Sequence, residues 1–206
     1  MFIIPHHMRS KLFVLFLLGL GASNSASAQI DFTPTTREYT AGGFIHRELT
    51  FRADKGTVTL APPAKWNVRG DNDSLHLSPP DKNFVEVSIQ NLVSSVPLTF
   101  DEANLAALEQ QVLREMPPGA QSVQISSRAA NTIVMGPNQS FEFVVAYQTL
   151  GQLFQKSVIF VNGRTPLLVR FTAPKAEYGK FDGEFRQSLF SWQLVQPSPV
   201  AVAQRN

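Results

Sequence analysis

Apolar and polar positions alternate with a period near two through much of the first half of the chain. Residues 44–51 set Phe44, His46 and Glu48 against Ile45, Arg47, Leu49 and Phe51. Such alternation predicts strands with one buried face. Shorter strand-like runs follow at 57–60, 65–69 and 74–78, bounded by Pro62-Pro63, by Asp71-Asn72-Asp73 and by Pro79-Pro80. Proline cannot donate to a ladder, and short acidic side chains favour turns, so these clusters punctuate a sheet. Residues 84–92 place Val85, Val87 and Ile89 on one face. At Thr99 the period lengthens. Leu105, Leu108, Val112 and Met116 recur at spacings of three and four, the apolar stripe of a helix. Thr99 and Glu102 match a capping box at its start, and Pro117-Pro118-Gly119 ends it.

The second half returns to period two. Residues 122–126 and 132–135 are strand-like. Phe141, Phe143, Val145 and Tyr147 then alternate with Glu142, Val144, Ala146 and Gln148. Leu150-Gly151 predicts a turn. Asn162-Gly163 carries the pattern of a type I′ hairpin turn, which needs positive φ at both central residues. Two tight turns imply three consecutive antiparallel strands. Pro174 suits a first helical position, and Tyr178, Phe181, Phe185, Leu189 and Trp192 form an aromatic stripe beyond it. Gly179 and Gly183 weaken helix propensity there, so the first turn reads as separable from the main helix.

Residues 1–28 read as an address. Arg9 and Lys11 precede the apolar run 12–22, and Ala26-Ser27-Ala28 fits the small-x-small cleavage pattern of a signal peptide. The run is too short to span ~30 Å as a helix. Cleavage after Ala28 would place the protein in the periplasm or outside the cell, with no transmembrane anchor. The expected organisation is a signal peptide at 1–28, an extended arm at 29–43, one domain at 44–195 and a flexible tail at 196–206. The chain has 18 basic and 16 acidic residues. The address holds two of the basic residues and no acid, so the remainder is neutral and lacks the basic stripe of a nucleic-acid binder. Cysteine is absent, which excludes disulfides, thiolate metal sites and cysteine nucleophiles.

Short motifs carry a resemblance. Pro63-Ala64-Lys65-Trp66 is similar to the Pro-x-x-Trp turn that opens PsbP-type domains. Residues 98–108 resemble their first helix, and 136–147 resemble their turn into a central strand. Phe171-Thr172-Ala173-Pro174, with Tyr178 and Phe181, resembles their strand-to-helix junction. Ser188-Leu189-Phe190-Ser191-Trp192 stands at the helix end. The resemblance to PsbP-like and DcrB-like proteins covers about residues 57–194, and the strand at 44–52 has no counterpart in it. It implies a curved, mainly antiparallel sheet with helices on its faces, an α/β/α sandwich of the α+β class. The family is mostly non-enzymatic, so the resemblance informs fold more than function.

Candidate chemistry is sparse. Asp71, Asp73 and His76 could ligate a cation, but the same residues read more readily as a solvated turn whose Asp side chains bond backbone amides. No G-x-S-x-G, S-x-x-K or H-E-x-x-H motif occurs. A Ser/His/acid set could be assembled in space only from His46 or His76. Asp182 and Glu184 are expected on the exposed face of the last helix. No catalytic, cofactor-binding or metal-binding residue and no cofactor is assigned. The expected function is an exported, non-catalytic binding or interaction module of the bacterial envelope, with an unidentified envelope protein as partner and no nucleic acid. Its expected contact surface comprises Phe44, His46, Arg47 and Glu48 on an edge strand, with Phe190 and Trp192 from the aromatic helix. Arg47 and Glu48 have a second reading, as charges that guard an edge against aggregation. Two alternatives are a carrier of a small apolar ligand held between sheet and helix, and a hydrolase with a spatially assembled site.

Overall fold

The computed structural model describes residues 29–54, 56–93 and 98–196. The expected signal peptide and residues 197–206 of the expected tail lie outside the described residues. In chain order the first elements are β1 (Ile30–Ala41), β2 (Phe44–Ala53), β3 (Gly56–Leu60), β4 (Asn67–Gly70), β5 (Ser74–Ser78) and β6 (Glu86–Asn91). Then come α1 (Glu102–Arg114), β7 (Gln121–Ala130), β8 (Gln139–Thr149), β9 (Gln152–Asn162), β10 (Leu167–Pro174), α2 (Lys175–Leu189) and β11 (Gln193–Val195). The fold is mixed α+β with mainly antiparallel sheets.

The strands form two sheets. One has four strands in the order β1-β2-β3-β11, and the other has seven in the order β4-β5-β6-β10-β9-β8-β7. Each pairing is antiparallel, including the expected meander of β8, β9 and β10. Core side chains lie on both faces of the larger sheet. On one face Val112 of α1 packs with Phe141, Phe143, Val158, Phe160 and Leu168, and Leu105, Leu108 and Met116 extend that contact. On the other face Tyr178, Phe181, Phe185 and Leu189 of α2 share a core with Val87, Ile89, Val169 and Phe171. The smaller sheet contributes Phe32, Leu49, Phe51 and Leu60 to this second core. β8 is therefore buried continuously from Ser140 to Val145, as a strand covered on both faces must be.

Several local expectations are corrected. Residues 29–43 do not form a separate arm: Ile30–Ala41 is β1, hydrogen-bonded along β2. β2 is consequently an inner strand, paired with β1 and with β3, not the expected edge. Ile30 and Phe32 anchor β1 in the core, while residues 35–46 are exposed throughout. Gly42 and Gly43 turn this hairpin with φ of 58° and 81°. A matching two-residue turn joins β8 to β9 at Leu150 and Gly151, with φ of 49° and 75° between the paired Thr149 and Gln152. Asn162-Gly163 does not make the expected I′ turn, because neither residue has positive φ. The pairing with β10 closes at Val161 and Leu167, so residues 163–166, after the end of β9, form a longer loop.

The helix ends differ as well. Asp101, not Thr99, caps α1: its carboxylate accepts from the Asn104 amide at 3.0 Å, while the Thr99 hydroxyl donates to Asp101. A side-chain acceptor placed three residues before a free helical amide satisfies that donor directly. Pro174 ends β10 and stands at the N-cap of α2, which runs unbroken through Gly179 and Gly183. Residues 132–135 form no strand, although Ile133 and Met135 are buried.

Candidate functional site

The residues expected to form one contact surface are divided among three places. Phe44 stands at the tip of the β1–β2 hairpin, 73% exposed, beside Ile45 at 77%. Neighbouring residues on a strand point to opposite faces, so exposure of every residue from 35 to 46 leaves both faces of this projecting hairpin uncovered. Below the tip, His46 stacks on Tyr39 across the pair, with ring centroids 5.3 Å apart, and the Arg37 guanidinium lies 5.9 Å from the Tyr39 ring. Arg47 and Glu48 are half-buried at the hairpin's root. There Arg47 donates to the Trp66 carbonyl at 2.6 Å, which fastens the hairpin to the body. Phe190 is 67% exposed where α2 ends, off the core stripe. Trp192 is only 6% exposed and lies past the end of α2, so it is withdrawn from the surface set.

Trp192 instead lines a cleft of about 460 Å³ between the two sheets. Ile30 and Val58 from the smaller sheet face it, with Leu167 from the larger sheet and Met135 from the loop before β8. Leu194, Asn138, Arg164 and Thr165 also line it. Asn91 on β6 ties the wall together: its side chain accepts from the Ile30 amide at 3.0 Å and donates to the Ile30 carbonyl at 2.8 Å. No sequence signal marked this cleft, because its lining comes from segments scattered from residue 30 to residue 196.

A Ser/His/acid chain does form around His76. The Ser74 hydroxyl lies 3.2 Å from His76 Nε2, and Glu86 Oε1 lies 2.7 Å from Nδ1. Ser74 and His76 are two apart on β5, hence on one face, and Glu86 comes from the adjacent β6. The His76 and Glu86 side chains are 40% and 56% exposed, so water competes for both links. Asp71 also accepts from Ser74, and its Oδ1 takes the backbone amides of Asp73 and Ser74 at 2.9 and 2.8 Å. These amide bonds hold the Asp71 carboxyl below the usual carboxylate range. Asp71 thus serves the turn between β4 and β5. Among the described residues no group of three or more His, Cys, Asp and Glu side chains is placed to hold a metal ion.

The most deeply buried carboxylate, Glu142, lies under α2. Glu142 on β8 accepts from Ser157 on β9 and from Arg186 on α2, and Ser157 also bonds the Tyr178 hydroxyl. Arg186 further donates to Asp182 at 2.7 Å and to the Thr132 carbonyl at 3.0 Å. Burial disfavours the Arg186 cation, but its bonds to Asp182 and Glu142 outweigh that and raise its pKa. Burial pushes the Tyr178 hydroxyl up to about 12 and raises Asp182. Asp182 therefore faces the sheet and not solvent, contrary to expectation, because its i,i+4 partner Arg186 reaches inward to Glu142. Glu184 accepts from the Trp66 indole at 3.2 Å. The cluster is packed and mutually bonded, the arrangement of a network that fixes α2 on the sheet.

No known family model matches the chain, and no curated protein sequence matches it.

Proposed function

We propose that this protein is an exported, non-catalytic binding module of the bacterial cell envelope that engages a protein partner through the β1–β2 hairpin tip. The observation that carries the reading is the adjacent exposure of Phe44 and Ile45 on a hairpin that nothing in the described chain covers. Large apolar side chains on a projecting tip offer area that a partner can bury, and aromatic anchors dominate such contacts. The Tyr39–His46 stack stiffens the stem behind them. Export rests on the n-, h- and c-region pattern of residues 1–28. Among the described residues no helix is long and apolar enough to cross a membrane. We read the larger sheet, with α1 and α2 on opposite faces, as the α/β/α sandwich of PsbP-like and DcrB-like proteins. The smaller sheet is then an addition to it. That resemblance supports a binding role over a catalytic one.

The test is affinity capture from the envelope fraction with the wild-type chain and a Phe44→Ser/Ile45→Ser variant. Both substitutions are at exposed positions, so the fold is expected to persist. Removal of residues 29–52 is unsuitable, since it takes Ile30, Phe32, Leu49 and Phe51 out of the core. A partner recovered with wild type and lost with the variant is the expected result. Retention of every partner by a folded variant rejects the hairpin as the contact.

One observation favours a second reading. The Ser74–His76–Glu86 chain has the order of groups that a hydrolase uses to activate a serine. Turnover of an activated ester that Ser74→Ala and His76→Ala each abolish would establish that reading and displace the non-catalytic one.

A further inference from the structure

We infer that the cleft between the two sheets binds a single-chain amphiphile with an anionic head group, of the fatty-acid class. Its volume of about 460 Å³ falls in the lower part of the range of small-molecule sites, about 300–1,000 Å³. That favours one acyl chain over a two-chain lipid. Its apolar lining comes from Ile30 and Val58 of the smaller sheet, Leu167 of the larger, and Met135 and Trp192 from connecting segments. Such a lining rewards a hydrocarbon chain in proportion to the area removed from water. The Asn91 clamp on Ile30 holds one wall before any ligand arrives, so little ordering cost falls on binding.

The head group follows from charge. Arg164 is the sole charged side chain in the lining. Among the described residues it makes no ion pair, whereas Arg128, Arg170 and Arg186 each hold a carboxylate. A guanidinium presents paired donors that match a carboxylate's two oxygens. Thr165 and Asn138 stand with it in the lining and supply further polar groups. An apolar interior with one cation and neutral polar groups selects a ligand that is apolar along its body and negative at one end. The site differs from the expected carrier cavity, which was placed between sheet and helix. It also goes beyond the hairpin, since none of its lining residues belongs to the tip.

Calorimetric titration of the purified protein, as the cell produces it, with decanoate and with 1-decanol tests this. Decanoate should bind saturably at one site per chain and about tenfold more tightly than the alcohol, the equivalent of about 1.4 kcal/mol. Arg164 is exposed, so Arg164→Gln should keep the fold and erase that preference, while the alcohol still binds. Ala53 also lines the cleft, so the larger side chain of Ala53→Phe should fill it and abolish binding of both, with circular dichroism reporting that the fold persists. Absence of saturable one-site binding overturns the proposal. So does a decanoate preference that survives Arg164→Gln.

Discussion

Asp182 has one oxygen bonded to Arg186, while the other, Oδ1, is buried without a partner among the described residues. Its neighbours are Glu142, which shares the same guanidinium, and Tyr178, whose hydroxyl bonds Ser157. One cation between two carboxylates leaves an excess of negative charge in a partly dry place, and burial raises the Asp182 pKa. The folded chain therefore holds this proton to a higher pH than the unfolded chain does. The resulting contribution to stability is complete below the ordinary value of 3.8 and is lost as pH rises through the raised folded value. Denaturant titrations between about pH 3 and 7 should show wild type losing stability relative to Asp182→Asn as the pH increases. Parallel curves would mean that the carboxylate titrates as it does in the unfolded chain. Asp31, Asp71 and Asp101 shift the opposite way, through hydrogen bonds to nearby amides and hydroxyls, and are common to both proteins.

The helix α2 contains two glycines on its exposed side, and a Cβ added at either would meet nothing within 4 Å. Glycine in a helix interior costs about 0.5–1 kcal/mol relative to alanine. Gly183→Ala should therefore raise unfolding stability by about that amount. A loss of stability would show that the glycine serves an unseen packing need. α2 was legible in the sequence because Tyr178, Phe181, Phe185 and Leu189 repeat with helical spacing and all reach the core. Trp192 continues the same spacing but lies beyond the helix, so periodicity could not place it. The meander was legible from its alternation, and so was its first turn at Leu150-Gly151, but the second was not. Leu150 adopts positive φ because the strand register closes there, whereas Asn162-Gly163 has the favoured residues without the register. β1 was missed because only Ile30 and Phe32 carry an apolar period; the remainder is polar and gains its ladder from β2. The cleft was not legible at all, since Ile30, Val58, Arg164 and Trp192 meet only once both sheets exist.

At the scale of the whole molecule, the two sheets meet where β1 crosses β4. A Cβ added to Gly70 would lie 2.1 Å from the Phe32 carbonyl oxygen, closer than atoms can approach. Both partners are backbone, so relief requires moving one sheet against the other. Gly70→Ala should destabilise by about 1–3 kcal/mol, the usual cost of overpacking. Thermal unfolding of Gly70→Ala beside Gly183→Ala should thus give shifts of opposite sign. An unchanged midpoint for Gly70→Ala would show that the sheets slide freely. The hairpin tip lies outside this seam, which leaves it free to vary without disturbing the body.

The smaller sheet also joins the two ends of the described chain. β1 begins at Ile30, and β11, which ends at Val195, is the strand on its far edge. The Ala61 amide donates to the hydroxyl of Ser191, 130 residues later. A chain emerging from the ribosome in order can form the β8–β9–β10 meander as soon as it appears, but it cannot close the smaller sheet until its last strand is made. Such distant pairings slow folding, because loop-closure entropy must be met before the contacts form. The β11 strand therefore joins β3 late, and a nascent chain stalled before residue 190 should leave the far edge of β3 unpaired and more open to protease than the chain that includes β11.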